Sequence, residues 1–365
     1  MILRVLYFYG QIFFFLLGKK ECGNVVAMHG MNVTINDIAK RTGVSKSTVS
    51  RVLCNSVHVS PATREKVLEC AKELDFKPNY FAKGLKTKRS RTIAFLVPNI
   101  EIMIYPAIIH AMEVETLKRG YTILLCDIQE NKDIAMEYIR NLKSRNVDGF
   151  IFSSAFWDEE MNNEIREARE AGFPIVNLLR TDDSNTTSVV LDNAKGSEMG
   201  VDFLISKGKH RIAYLQGQEN LKLYRDRFDG YVRALDKHRI PFDECLVWYG
   251  FEDSENVVSR IVEGKIKSGL DVDAVFCSSD NLAVETIHAI TELGLKIPSD
   301  ISVLGYDNVP ISEMLVPRLT AIGQPFKEMG KKAVDVLIDL IEGKEMDEGK
   351  NYVFEPFLTI RDTVS

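Results

Sequence analysis

Metal-ligand spacing is missing from this sequence. Its six cysteines, Cys22, Cys54, Cys70, Cys126, Cys245 and Cys277, are widely separated and form no C-x-x-C pair, and its six histidines include no H-x-x-x-H. No zinc module or disulfide framework is therefore indicated, and a reducing cytoplasm is the expected compartment. Catalytic signatures are absent too: there is no G-x-S-x-G, no H-E-x-x-H, no P-loop and no G-x-G-x-x-G after a strand. Catalytic residues, cofactors and metals are accordingly not expected, and the chain is not read as an enzyme. Internal repeats and low-complexity tracts are lacking as well.

One apolar and aromatic run stands out, Met1 to Leu17, with Arg4 near its start and Lys19 and Lys20 after it. At about 17 residues it is at the lower limit of a membrane span, and it lacks a small-residue cleavage motif. Residues 1–30 are read as a start-site artefact or a dispensable leader, because Met28 and Met31 both offer starts. A membrane anchor is the alternative; no membrane partner is expected.

What is present is a globular composition, 45% apolar and 27% charged, in a chain of 365 residues, enough for a small module and a larger one. The net charge of -6 conceals an asymmetry. Residues 31–91 hold 13 Lys/Arg against 5 Asp/Glu, whereas residues 92–365 hold 30 against 46. A basic head on an acidic body places any polyanion at the head.

The head carries a helix-turn-helix pattern. Thr34 can cap a helix with Ile35, Ile38 and Ala39 on one face, ending at Gly43. Ser45 caps a second helix with Val49, Val52 and Leu53 as its apolar stripe, and a third starts at Ser60-Pro61 and is expected to bury Val67, Leu68, Ala71 and Leu74. On the second helix Lys46, Ser47, Ser50 and Arg51 lie together opposite the stripe, the donor set that suits acceptor-rich base edges flanked by phosphates. Lys77 to Arg91 then contains Pro78-Asn79 and six Lys/Arg with no acid, a basic linker.

Beyond Arg91 strands alternate with helices: Thr92 to Val97, Tyr121 to Cys126, Gly149 to Phe152, Pro174 to Leu178, Arg211 to Leu215, Ala274 to Cys277 and Ile301 to Gly305. Such alternation predicts an α/β domain of two doubly wound parallel-sheet subdomains behind a small all-α helix-turn-helix headpiece.

Val33 to Leu53, reading V-T-I-N-D-I-A-K-R-T-G-V-S-K-S-T-V-S-R-V-L, and V-S-P-A-T-R-E-K-V from Val59 resemble the headpiece of the LacI/GalR repressors. The resemblance implies that Lys46, Ser47, Ser50 and Arg51 read the major groove and that Thr34, Thr48, His58 and Arg64 grip the backbone. Cys54 stands where the family usually has asparagine, leaving Asn55 to cover that groove contact. P-N-Y-F-A-K-G-L-K (Pro78 to Lys86) resembles the hinge helix that folds on DNA, with Leu85 as a minor-groove wedge and Asn79, Lys83 and Lys86 as further contacts. Gly84 departs from the hinge pattern, at about 1 kcal/mol of helix propensity.

Residues 92–363 resemble the family's effector domain, which is similar to periplasmic sugar-binding proteins and binds ligands between its subdomains. The resemblance implies effector-binding roles for Arg227 in R-F-D-G-Y, Asp307 in G-Y-D-N and Asp280 after Ser279, with Tyr105 and Phe251 as stacking faces or as core. Leu179-Arg180 replaces the usual D-R. Loss of that aspartate points to a ligand less hydroxylated than a free sugar, or to an anionic derivative held by Arg180 and Arg227 without nearby acids.

The expected organisation is a leader (1–30), headpiece (31–76), basic linker with hinge (77–91) and effector domain (92–365). Its subdomains are expected at about 92–190 with 324–350 and about 191–323 with 351–365, Gln324-Pro325-Phe326 forming the last crossover. No leucine heptads of the tetramer-supporting kind follow Arg361, so a homodimer on a palindromic operator is expected. The chain is thus read as a sequence-specific transcriptional regulator, a repressor by the family's habit, whose partners are double-stranded operator DNA and a sugar-like effector. The alternative, a sugar-binding receptor of a membrane transporter, shares the two-lobed core but has no use for residues 33–86.

Overall fold

Each headpiece helix starts where a side chain satisfies its first free N–H groups. In the computed structural model the described residues are 33–53, 58–76, 89–144, 147–153, 159–180, 185–250, 256–344 and 349–365. Residues 1–30, Cys54, Asn55, Asn79, Lys83, Gly84, Leu85, Lys86 and Phe251 lie outside them. The chain divides into two units, Met1–Tyr80 and Phe81–Ser365.

In the first unit, α1 (Ile35–Thr42) follows Thr34, whose N–H and hydroxyl both donate to Asp37, at 2.9 and 2.6 Å. It stops at Gly43, which takes φ 71° and returns its N–H to the Ala39 carbonyl, a left-handed cap that glycine adopts freely. Helix α2 (Lys46–Leu53) begins where Ser45 Oγ accepts the Thr48 N–H at 3.1 Å, and α3 (Pro61–Glu73) where Ser60 Oγ accepts that of Thr63. Ile38, Ala39, Val49, Val52, Val67, Cys70 and Ala71 form the shared core. Leu68 is a correction: it is 47% exposed, because the buried stripe of α3 runs through Val67, Cys70 and Ala71, with Leu74 half-buried against it, and Cys70 occupies the position expected of Leu68.

The second unit contains two six-stranded sheets. The first has β1 (Thr92–Val97), β2 (Thr122–Asp127), β3 (Gly149–Phe152), β4 (Ile175–Leu178), β5 (Ser188–Leu191) and β11 (Asn351–Phe354), in the order β11-β5-β4-β3-β1-β2, all parallel. Between them run α4 (Tyr105–Lys118), α5 (Lys132–Ser144) and α6 (Glu159–Glu170). The second sheet has β6 (Ile212–Gln216), β7 (Val247–Tyr249), β8 (Ala274–Cys277), β9 (Ser302–Asp307), β10 (Thr320–Gly323) and β12 (Phe357–Thr359), in the order β12-β10-β9-β8-β6-β7. Only β12 is antiparallel to its neighbour. Its helices are α7 (Asn193–Ser206), α8 (Lys222–Lys237), α9 (Val257–Lys267), α10 (Asp280–Glu292) and the short α11 (Ile311–Met314), while α12 (Phe326–Ile341) returns to the first sheet. Strands such as β3, β8 and β9 are buried at every position, as parallel strands covered on both faces must be.

This is the expected pair of doubly wound subdomains. The expected subdomain boundary at 350/351 is a correction: β11 pairs with β5, Asn351 opposite Ser188, so residues 351–354 complete the edge of the first sheet and the chain crosses at Glu355-Pro356. Among the described residues no helix is long and apolar enough to cross a membrane.

Candidate DNA-reading face and ligand cleft

Helix α2 divides cleanly. Val49 and Val52 are buried, while Lys46, Ser47 and Arg51 are exposed and Ser50 is half-buried beside them. Ser47 and Thr48 each place a hydroxyl 2.8 Å from Ser45 Oγ, which sets the start of the exposed face. His58 is exposed and Arg64 half-buried. Thr34 gives both its donors to Asp37, whose carboxyl the Thr34 hydrogen bonds hold below the ordinary carboxylate value. A phosphate contact by the Thr34 hydroxyl has to replace that bond.

In the second unit a cavity of about 290 Å³ opens where the carboxyl ends of both sheets meet. Pro98 follows β1, Arg180 follows β4, Gly217 follows β6, Asp307 ends β9 and Gln324 follows β10, and all line it. Clefts at the carboxyl ends of doubly wound sheets are where such folds bind ligands, because loops of different strands converge there.

Arg227 anchors the wall. It is buried, and its Nε donates to Asn193 Oδ1 at 2.9 Å, Nη1 to the Ser278 carbonyl and Nη2 to Asp307 Oδ1 at 3.0 Å. Its guanidinium lies 3.7 Å from the centroid of the Tyr306 ring. Burial works against its charge, but the Asp307 carboxylate together with the phenols of Tyr306, Tyr224 and Tyr214 outweighs it and leaves its pKa raised. Asp307 Oδ1 also accepts Gln324 Nε2 at 2.6 Å, and the residue holds φ 113°, strained for any side chain and maintained by these bonds.

Asp280 lines the same wall but supports it from behind. Its Oδ2 accepts the Val309 N–H at 2.8 Å and the Ser312 hydroxyl at 2.7 Å, tying the turn after β9 that carries Asp307. Oδ1 is buried without a partner, so close to Gly305 that a Cβ there would lie 2.4 Å away. Burial, then the neighbouring Asp307, pushes the Asp280 carboxyl up to about 7. Tyr105 forms the floor: it is 1% exposed, its hydroxyl lies 3.0 Å from Ser153 Oγ, and its ring meets Phe95 edge-on.

The cleft therefore gathers five of the six expected effector residues, Tyr105, Arg180, Arg227, Asp280 and Asp307. One expectation is corrected. Arg227 does not stand without nearby acids, since Asp307 neutralises it at 3.0 Å, and Glu130 and Glu285 add carboxylates to the lining. Sequence reasoning missed Asn193, Tyr224, Tyr306 and the contact role of Gln324.

The lacI-family signature of bacterial regulatory proteins matches residues 34–79, and a periplasmic binding protein-like domain matches residues 201–364. The chain is 34% identical over 336 residues to the HTH-type transcriptional regulator RegA of Clostridium saccharobutylicum, covering 91% of this chain and 99% of that one. It is similar to a lac repressor dimer bound to operator and the anti-inducer ONPF, with TM-score 0.81 and 28% identity over 91% of this chain and 98% of that one. A complex of the transcriptional regulator CelR with cellobiose matches with TM-score 0.69 and 29% identity, over 91% and 99%. Exposed donors on α2 and a cleft between two doubly wound sheets are thus set in a chain that aligns nearly end to end with these proteins, and the chain belongs to the lacI family of bacterial regulatory proteins, DNA-binding transcriptional regulators.

Proposed function

We propose that a homodimer in the cytoplasm reads a palindromic operator with α2 of each copy and represses transcription, under the control of a small carbohydrate-like effector held in the cleft. The observation that carries the reading is the division of α2: Lys46, Ser47 and Arg51 face water while Val49 and Val52 are buried. In this reading Lys46, Ser47, Ser50 and Arg51 contact base edges, and Thr34, Thr48, His58 and Arg64 contact phosphates. Asn55 and the linker residues Asn79, Lys83, Leu85 and Lys86 complete the contact set as sequence-based assignments.

For the effector, Arg227, Asp307, Gln324 and Arg180 supply the mixed donors and acceptors that hydroxyl-bearing ligands need, with Tyr105 as floor and Phe251 as a sequence-based candidate wall. The lac repressor relative is an operator-bound dimer and the CelR relative holds cellobiose, which supports both parts. Exposed Leu117 on α4 and Val316 after α11 supply apolar surface for a second copy.

The test is selection of duplexes from a random library by the full chain, followed by anisotropy titration with and without a carbohydrate panel. Enrichment of a palindrome whose affinity one compound shifts is expected. Failure to enrich any sequence overturns the operator reading.

A further inference from the structure

We infer that the effector carries an anionic group, a carboxylate or a phosphate, that docks on the guanidinium of Arg180. The inference rests on the cleft being the effector site and specifies what that site selects.

Arg180 reaches the cleft through an unusual turn. β4 ends at Leu178, and Leu179 takes φ 67°, a left-handed geometry that residues other than glycine avoid. Leu179 is nevertheless held there, 8% exposed, with its N–H bonded to the Val189 carbonyl at 2.8 Å. Arg180 follows into the cavity lining, where its charge acts on the phenols of Tyr105 and Tyr224. Its Nη1 is buried, and it makes no hydrogen bond or ion pair with any described residue.

A buried guanidinium N–H without an acceptor is costly, so the site is completed by what enters it. The other cations and anions of the cleft do not serve. Arg227 is already matched by Asp307, Asn193 and Ser278. Glu130 and Glu285 are both exposed to water and neither pairs with Arg180. Asp280 holds the turn at Val309 and Ser312. Arg180, half-buried in the cleft wall, is therefore the cleft cation without a partner among the described residues. A neutral hydroxyl would satisfy the buried N–H but leave the charge uncompensated, whereas a carboxylate or phosphate oxygen does both.

The test uses the full chain and matched sets of one stereochemistry: a neutral hexose, its hexuronate and its 6-phosphate, in the gluco, galacto and manno series. Binding is read by calorimetry and by the shift in operator affinity. One charged member is expected to bind about tenfold or more tightly than its neutral partner. Arg180→Gln should remove that preference while Arg180→Lys keeps part of it, with both variants unfolding near the parent temperature. The uronate and phosphate arms separate the two sources of the anion. A neutral hexose binding as well as its charged partners, or a charge preference that survives Arg180→Gln, overturns the inference. If no member of the panel binds or shifts operator affinity, the carbohydrate reading itself falls, and this inference with it.

Discussion

Arg227 and Asp307 hold each other inside the cleft wall, with side chains only 4% and 12% exposed, so neither can be neutralised without leaving the other as a buried charge. Arg227→Gln or Asp307→Asn is expected to destabilise the C-terminal unit by about 3–5 kcal/mol, and the double variant by less than the sum of the two. Denaturant midpoints check this; single variants as stable as the parent would contradict it. Asp280 makes a different statement. Its carboxyl is pushed up to about 7 by burial and then by Asp307, above the ordinary value of 3.8. Between those values the folded state binds the proton that the unfolded state releases, so this group favours folding at low pH and loses that contribution as pH rises through about 7. Relative to Asp280→Asn, the parent should lose stability between about pH 4 and about pH 7. Parallel pH profiles for the two proteins would refute that. Arg227 and Asp307 were legible in R-F-D-G-Y and G-Y-D-N, but the supporting role of Asp280 was not, because its partners Val309 and Ser312 lie 29 and 32 residues away.

On the proposed reading, helix α2 carries stability on its buried face and recognition on its exposed one. Arg51→Ala removes an exposed side chain and is expected to weaken operator binding by about 1–3 kcal/mol while leaving thermal unfolding unchanged. Val52→Ala empties part of the headpiece core and should lower headpiece stability by about 1–3 kcal/mol, with DNA affinity falling only as the unit unfolds. Gel shifts and circular dichroism on both variants distinguish these outcomes, and an Arg51→Ala protein that binds like the parent would move recognition to another face. The three headpiece helices were legible because Thr34, Ser45, Ser60-Pro61 and Gly43 act on their own neighbours in sequence. Five strands, β5, β7, β10, β11 and β12, were not read. They are three or four residues long, and β11 is an edge strand that alternates exposed and half-buried residues, so its place is set by pairing with Ser188–Leu191 rather than by its own apolar pattern.

At the scale of the whole molecule, the proposed homodimer needs apolar surface to bury, and exposed side chains of the C-terminal unit offer it. Leu117 is 64% exposed and Val316 94%. Leu117→Glu together with Val316→Glu is expected to shift the protein from dimer to monomer in sedimentation and to reduce operator affinity, because one headpiece alone engages only a half-site. An unchanged dimer would place the interface elsewhere. Regulation by an effector requires that the cleft control the proposed DNA-reading face. The most direct measurement is an anisotropy titration of full-length protein on its library-selected duplex, with a scrambled competitor and the hexose, hexuronate and hexose phosphate panel added. Selective binding that Arg51→Ala weakens and that one compound shifts, with the shift lost in Arg180→Gln, is the expected result. Binding no tighter than to the scrambled duplex, or a ligand response untouched by changes in the cleft, would contradict it.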